Sequence, residues 1–175
     1  MSIYTIGHST RSIEEFIALV HAHGVGQIAD VRTVPKSRRH PHFALEALER
    51  SLPAAGVAYR HFGSLGGLRK PRPDSRNTAW RHEGFRGYAD YMETPEFASA
   101  IDDLVAWAGA ADPRHTAVMC AEAVWWHCHR QLIADALVAR GIEARHIVSA
   151  SAARAHALTE FARTDGHRVT YPGLI

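Results

Sequence analysis

The chain has 175 residues, of which 46% are hydrophobic and 22% charged, and its net charge at pH 7 is +2. This composition excludes a disordered or fibrous protein, and we expect residues 1–175 to form one globular domain. No apolar run approaches the roughly 20 residues that span a bilayer, and the first residues lack a secretory signal pattern. We therefore expect a cytoplasmic protein with no membrane partner, whose two cysteines are free thiols.

The charged residues are unevenly distributed. Residues 32–86 contain twelve Lys or Arg and four Asp or Glu, whereas acidic residues predominate in the remainder. Such a region is typical either of a solvated arginine-rich surface or of a site that attracts phosphate, a nucleotide or nucleic acid. Part of it lies in a long irregular stretch at about 63–84, and long loops of this kind are usually functional or disordered.

The N-terminal residues predict a βαβ unit. A β-prone run at 3–6 precedes a helix that begins after Ser12, where Glu15 completes a capping box. Apolar residues then recur on one helical face, and a second strand is predicted at 27–31. Two strands joined through one helix run parallel, so these two should be parallel.

The remaining pattern alternates between helices and strands. We predict a helix at 43–52, a strand at 57–62, helices at 85–92 and 95–107, a strand at 115–120, a helix at 128–139, a strand at 144–148, a helix at 151–162 and an edge strand at 169–171. This alternation indicates an α/β sandwich with a mainly parallel central sheet and helices on both faces.

Three of the predicted strands end in polar clusters, at residues 7–10, 30–32 and 120–122. Ligands of open parallel sheets bind beyond the carboxyl ends of the strands. If the three strands are neighbours, these clusters form one rim. The rim would be the site of function.

Two carboxylates on this rim suggest acid–base chemistry. Asp30 and Glu122 could act as a general acid, a general base or a glycosidic nucleophile, with His8 and Cys128 as further catalytic residues. The alternative is that each carboxylate pairs with an arginine and holds the rim together. Both readings stay open.

The rim also contains groups that suit an anion. Backbone N–H groups and hydroxyls in the turn after the first strand could bind phosphate, as could nearby cations. The predicted anion-binding residues are Ser9, Thr10, Arg32, Arg69, Lys70 and Arg130. The leading hypothesis is therefore an enzyme that cleaves or transfers a glycosidic bond in a nucleotide or nucleic-acid-like substrate. A nucleic-acid-binding module without catalysis is a further alternative.

The cysteines support a different hypothesis. Cys128 lies near a predicted helix N-terminus between His127 and His129, an environment that lowers a thiol pKa. Together with Cys120, these residues could form a thiol or metal centre for redox or sulfur chemistry. Three of the four are consecutive, and adjacent side chains on a helix point about 100° apart, so we expect no metal and no other cofactor.

Several segments together resemble the bacterial domain-of-unknown-function family DUF488. The matching residues are 5–10, 30–32 with Pro35, Ser37, Pro41 and Phe43, 65–67, 84–85 with 88–89 and 91–92, 119–122 and 128–130. The resemblance implies an α/β fold and a shared site, and it names no activity. This chain differs from the family pattern at 123–127, where a proline and fewer aromatic residues are expected.

Overall fold

A computed structural model describes residues 1–111 and 113–174. Its strands are β1 (Ser2–Gly7), β2 (Val25–Asp30), β3 (Ala58–His61), β4 (His115–Cys120), β5 (Glu143–Ile147), β6 (Arg154–Ala155), β7 (Arg163–Asp165) and β8 (Arg168–Thr170). The central sheet has the order β3-β2-β4-β1-β5-β6, and all of its pairs are parallel except β5–β6. The predicted α/β architecture with a mainly parallel sheet is confirmed.

Helices cover both faces of the sheet, as predicted. They are α1 (Ile13–Ala22), α2 (Leu45–Ala54), α3 (Glu83–Tyr91), α4 (Pro95–Gly109) and α5 (Arg130–Ala139). On one face, α1 and α2 bury Phe16 and Leu48 against Ile28 of β2. On the other face, α3, α4 and α5 form a second core, in which Leu132 packs near Val118 of β4.

The first βαβ unit folds as its sequence predicts. The Ser12 hydroxyl accepts a hydrogen bond from the backbone N–H of Glu15, and the Glu15 carboxylate accepts one from the backbone N–H of Ser12, both at 3.1 Å. Gly24 adopts a φ of +65°, which only glycine tolerates easily. The chain therefore turns there and enters β2 directly.

The three strands with polar ends are neighbours. β4 lies between β1 and β2, with Gly7 opposite Cys120 and Asp30 opposite Met119. The strands therefore end almost level, and the residues that follow them share one edge of the sheet. The predicted common rim is confirmed.

The predicted helix at 151–162 is wrong. Arg154–Ala155 instead pairs antiparallel with β5, and the His156 backbone N–H donates to the Ala144 carbonyl. Asp135 accepts hydrogen bonds from the His156 ring at 2.8 Å and from the backbone N–H of Thr159 at 2.9 Å. These contacts with α5 hold the segment extended, so tertiary bonds override its helix-forming composition.

Two further element boundaries also differ from prediction. α5 begins at Arg130 rather than at Cys128, because the backbone of Cys128, which follows a turn of 3-10 helix at Trp125–His127, is extended. β8 pairs with β7 in a separate hairpin and is not an edge strand of the central sheet. Within residues 1–111 and 113–174, no helix is long and apolar enough to cross a membrane.

Candidate functional site

A cavity of about 1000 Å³ lies beyond the carboxyl ends of β1, β2 and β4. The residues that line it follow these strands or lie in the loops beside them: residues 8–10, 32–34, 36–40, 67–68, 82, 84–85, 120–123 and 127–129. It thus occupies the position where parallel sheets of this kind place their ligands.

The turn after β1 packs tightly against the chain that leaves β4. The backbone N–H of His8 donates to the Cys120 carbonyl at 2.9 Å, and that of Ser9 donates to the Ala121 carbonyl at 3.0 Å. A Cβ atom on Gly7 would collide with the carbonyl of Glu122, so only glycine fits there. Ser9 itself has a φ of +52°, a strained conformation for a residue with a side chain. The two turns are therefore fixed against each other.

A pair of sulfur atoms forms part of the cavity wall. The Sγ atoms of Cys120 and Cys128 lie 2.7 Å apart, and both cysteines are free. Arg130 contacts Cys128 Sγ through Nε at 3.3 Å and through its backbone N–H at 3.5 Å. The His129 Nδ1 atom also lies 3.5 Å from this sulfur. Cys128 thus has several polar neighbours able to stabilise a thiolate.

The surroundings shift the pKa values of the two thiols in opposite directions. Burial raises the pKa of Cys128, but hydrogen bonds from Cys120 and His129 and the charges of His129 and Arg130 lower it further, so the net shift is downward. The hydrogen bond to Cys128, followed by burial, raises the pKa of Cys120. Cys128 is therefore the sulfur that more readily forms a thiolate.

A backbone carbonyl sets the orientation of His129. Its Nε2 atom lies 2.9 Å from the carbonyl oxygen of Val31, which can only accept. Nε2 must therefore carry a hydrogen, and Nδ1 is the atom that faces Cys128. The second strand of the rim thereby positions a group of the sulfur site.

Asp30 is enclosed by hydrogen-bond donors. Its carboxylate accepts bonds from Arg32 Nε at 2.9 Å and Nη2 at 2.6 Å, and from the Tyr59 hydroxyl at 2.5 Å. Asp30 is fully buried and does not line the cavity, whereas Arg32 does. Burial lowers the pKa of Arg32, but Asp30 more than offsets this and the net shift is upward. Asp30 therefore positions Arg32.

His8 presents an unpaired nitrogen. Its ring stacks on Phe43 with centroids 4.2 Å apart, and its Nδ1 lies 2.9 Å from the Ser9 carbonyl. Nδ1 must be the donor, which leaves Nε2 as an acceptor without a partner among the described residues. The pKa of His8 is lowered to about 4, and burial is the largest cause. The ring is therefore neutral at pH 7.

Trp125 anchors the loop between β4 and α5. Its ring lies 4.1 Å from that of His146 at an interplanar angle of 4°. His146 bonds to the Thr5 hydroxyl at 2.7 Å and to His156 at 2.8 Å, and His156 bonds to Asp135 at 2.8 Å. The pKa of His146 is lowered to about 3, and burial is the largest cause. A buried polar chain thus supports the loop that carries Cys128.

The structure brings together most of the predicted site. His8, Ser9, Thr10, Arg32, Glu122 and Cys128 all line the cavity. Arg130 does not: it is 1% exposed, lies behind Cys128 and donates to the Glu122 carbonyl. Its contacts place it with the sulfur rather than on the rim.

Arg69 and Lys70, which the sequence also places in the anion-binding site, do not line this cavity. The Arg69 guanidinium stacks on the Tyr91 ring at 3.6 Å and donates to the carbonyls of Gly66 and Ser64. Both residues line a separate, smaller pocket. The Arg69 side chain packs on Tyr91 of α3, and the backbone of both residues lies against Gly87 of the same helix.

The cavity contains cations that the predicted site omitted. Lys36, Arg38 and Arg39 line it and are exposed, and no ion pair involves them within the described part of the chain. Of the residues that the structure describes, Glu122 is the one acidic residue in the cavity lining. Their place in the sequence could have indicated this, because all three closely follow the strand that ends in the Asp30 cluster.

Comparison with known proteins gives one match. The family model described as "Domain of unknown function DUF488" matches residues 12–137. No curated protein and no solved structure matches the chain. The matched region contains the sulfur pair, Asp30, Arg32 and the basic segment after β2.

Proposed function

The chain belongs to the domain of unknown function DUF488 family, and because that description names no activity, we propose a function from the site itself. The protein is a thiol-dependent enzyme that reduces an anionic substrate, with Cys128 as nucleophile and Cys120 as resolving thiol. The observation that carries this proposal is the 2.7 Å contact between the two sulfur atoms in the cavity wall. Arg130 and His129 support it, because they favour the thiolate form of Cys128.

The reaction has two steps. The Cys128 thiolate attacks one sulfur of a substrate disulfide, which forms a mixed disulfide and expels the other half as a thiolate. The Cys120 sulfur, after losing its proton, then attacks the Cys128 sulfur and expels the second half as a thiol. The protein ends as a Cys120–Cys128 disulfide, the substrate has gained two electrons, and an external dithiol restores the reduced protein.

The charge of the cavity favours an anionic substrate. Three cations in the cavity lining, Lys36, Arg38 and Arg39, form no ion pair with a carboxylate of the described residues. Glu122 contributes one negative charge. The volume of about 1000 Å³ is at the upper end for a small-molecule site. A disulfide that carries phosphate or other anionic groups suits both the size and the charge of the cavity.

Glycosidic chemistry by paired carboxylates is less well supported. That mechanism needs two carboxyl groups that both reach the substrate. Asp30 is fully buried, and Arg32 and Tyr59 occupy both of its oxygens. Only Glu122 of the predicted pair is free to reach a ligand. A binding module without catalysis would make no use of the sulfur pair.

Two alkylating reagents of different charge test the proposal. Iodoacetate is an anion and iodoacetamide is neutral, and both react with thiolates. We expect Cys128 to be the first cysteine modified, and Cys128→Ser to abolish the fast phase. Changing Lys36, Arg38 and Arg39 together to Gln should lower the iodoacetate rate roughly tenfold at low ionic strength, with little effect on iodoacetamide.

The matched control changes three exposed arginines outside the cavity lining, Arg50, Arg154 and Arg163, to Gln. This variant has the same net charge as the triple variant of the cavity, so it separates local from global charge. Peptide mapping identifies the modified cysteine. Equal loss of iodoacetate rate in both triple variants would refute an anion site in the cavity. A fast phase that persists in Cys128→Ser would refute the assigned nucleophile.

A further inference from the structure

We infer that Cys120, Cys128 and His129 bind a zinc ion when both thiols are reduced. One ligand atom from each residue lies within 4.8 Å of the other two. The cysteines are buried and His129 is half-buried, yet all three line the cavity. Two thiolates and one imidazole with an open fourth position form a ligand set known for zinc.

The three ligand atoms, all within 4.8 Å of one another, lie near the spacing that zinc requires. With Zn–S distances of about 2.3 Å and Zn–N distances of about 2.0 Å, a tetrahedral site separates its sulfurs by about 3.8 Å and sulfur from nitrogen by about 3.5 Å. Cys128 Sγ and His129 Nδ1 already lie 3.5 Å apart. The two sulfurs, at 2.7 Å, would have to separate by about 1 Å.

The histidine is already oriented as a ligand. Metal-binding histidines generally donate their second ring N–H to a carbonyl or carboxylate, which fixes the nitrogen that binds the metal. His129 makes such a bond from Nε2 to the Val31 carbonyl, so Nδ1 is the ring atom that faces the sulfur atoms. Nδ1 would bind the metal in its unprotonated form, after giving up any proton that it shares with Cys128. The carbonyl belongs to the residue after β2, which ties the site to the central sheet.

The local charge also favours a divalent cation. Zinc binding releases the Cys120 proton, so two thiolates and Arg130 leave a net charge of −1 around the ion. The Arg130 side chain and backbone donate to Cys128 Sγ and would continue to do so when that sulfur binds metal. Soft sulfur ligands select zinc over magnesium or calcium.

His127 is not part of this site. The sequence suggested it as a fourth ligand, but it is exposed and its ring nitrogens lie outside the cluster. The fourth position would therefore face the cavity, where water or a substrate group can occupy it. His127 is consequently a matched control, because it lies on the same loop as the ligands.

Zinc would also inhibit the proposed enzyme. A bound ion occupies both sulfurs, so Cys128 cannot attack and Cys120 cannot resolve. This inhibition rests on the proposed function, whereas the binding of zinc does not. Oxidation of the sulfur pair would in turn release the metal, because a disulfide supplies no thiolate ligand.

Cobalt binding tests the site directly. Protein made without a histidine tag, reduced and stripped of metal, is titrated with Co²⁺ and then with Zn²⁺ against a chromophoric chelator. We expect one ion per chain, with thiolate-to-cobalt absorption and tetrahedral d–d bands that zinc removes. Cys120→Ser, Cys128→Ser and His129→Ala should each weaken zinc binding more than about 100-fold, and His127→Ala should not.

Circular dichroism establishes that each variant is folded. If His129→Ala does not fold, His129→Gln replaces it in the titration. Absence of the charge-transfer absorption, or equal zinc affinity in the His127 and His129 variants, would overturn the proposal. Alkylation of Cys128 is measured separately without metal. Fast alkylation without cobalt binding refutes only the metal site, and cobalt binding with a slow, ordinary thiol refutes only the proposed function.

Discussion

Changing Arg130 to methionine should raise the pKa of Cys128. The guanidinium is 1% exposed, and its Nε lies 3.3 Å from the sulfur, so it makes a charge-assisted hydrogen bond shielded from water. Such bonds contribute about 1.5–3 kcal/mol, which corresponds to an upward shift of about 1–2 pH units. Methionine retains much of the side-chain volume, so the change tests charge and hydrogen bonding more than packing.

The assay is the iodoacetamide rate at Cys128 as a function of pH, followed by peptide mapping. We expect the midpoint of the profile to move up in Arg130→Met and to move less in Arg130→Lys, which retains the charge but loses the planar donor. Thermal unfolding verifies that both variants are folded. An unchanged midpoint in Arg130→Met would refute the argument that Arg130 stabilises the thiolate.

Two further predictions concern stability. Native His146 stays neutral down to about pH 3, whereas an unfolded histidine is protonated below about pH 6.5, so stability should fall as the pH drops from 6.5 toward 4. His146→Gln should reduce that dependence by up to about 1.4 kcal/mol per pH unit in urea unfolding, and parallel curves for both proteins would contradict this. Gly7→Ala should cost about 1–3 kcal/mol because its Cβ meets the Glu122 carbonyl. Gly109→Ala, where a Cβ meets nothing within 4 Å, should not destabilise, and equal losses would contradict the packing argument.

The sequence predicts the edge of the sheet where the candidate site lies, because general rules of parallel sheets determine it. The capping box at Ser12 and the apolar strands indicated βαβ order, and polar residues directly after three strands indicated the shared edge. The pairing of Gly7 with Cys120 then follows from β1 and β4 being neighbours. The order of the strands, with β4 between β1 and β2, has no such local signal, and the structure supplies it.

The contact between the sulfurs could not be predicted in the same way. It requires the chain to fold back between Cys120 and Cys128, and the stack of Trp125 on His146 supports that loop from a strand later in the sequence. The positive charge of Arg69 suggests an anion-binding role, but charge does not indicate that its side chain stacks on Tyr91. Such contacts depend on tertiary packing and have no local signal.

The most direct test of the proposed chemistry uses an anionic aromatic disulfide, one equivalent per reduced and metal-free chain, followed by intact mass measurement. Wild-type protein should release both aromatic thiols and lose two hydrogens, with a Cys120–Cys128 bond found by peptide mapping. Cys120→Ser should release one thiol and retain the other as an adduct on Cys128. A stable adduct on the wild-type protein, or release that does not depend on Cys128, would contradict the account.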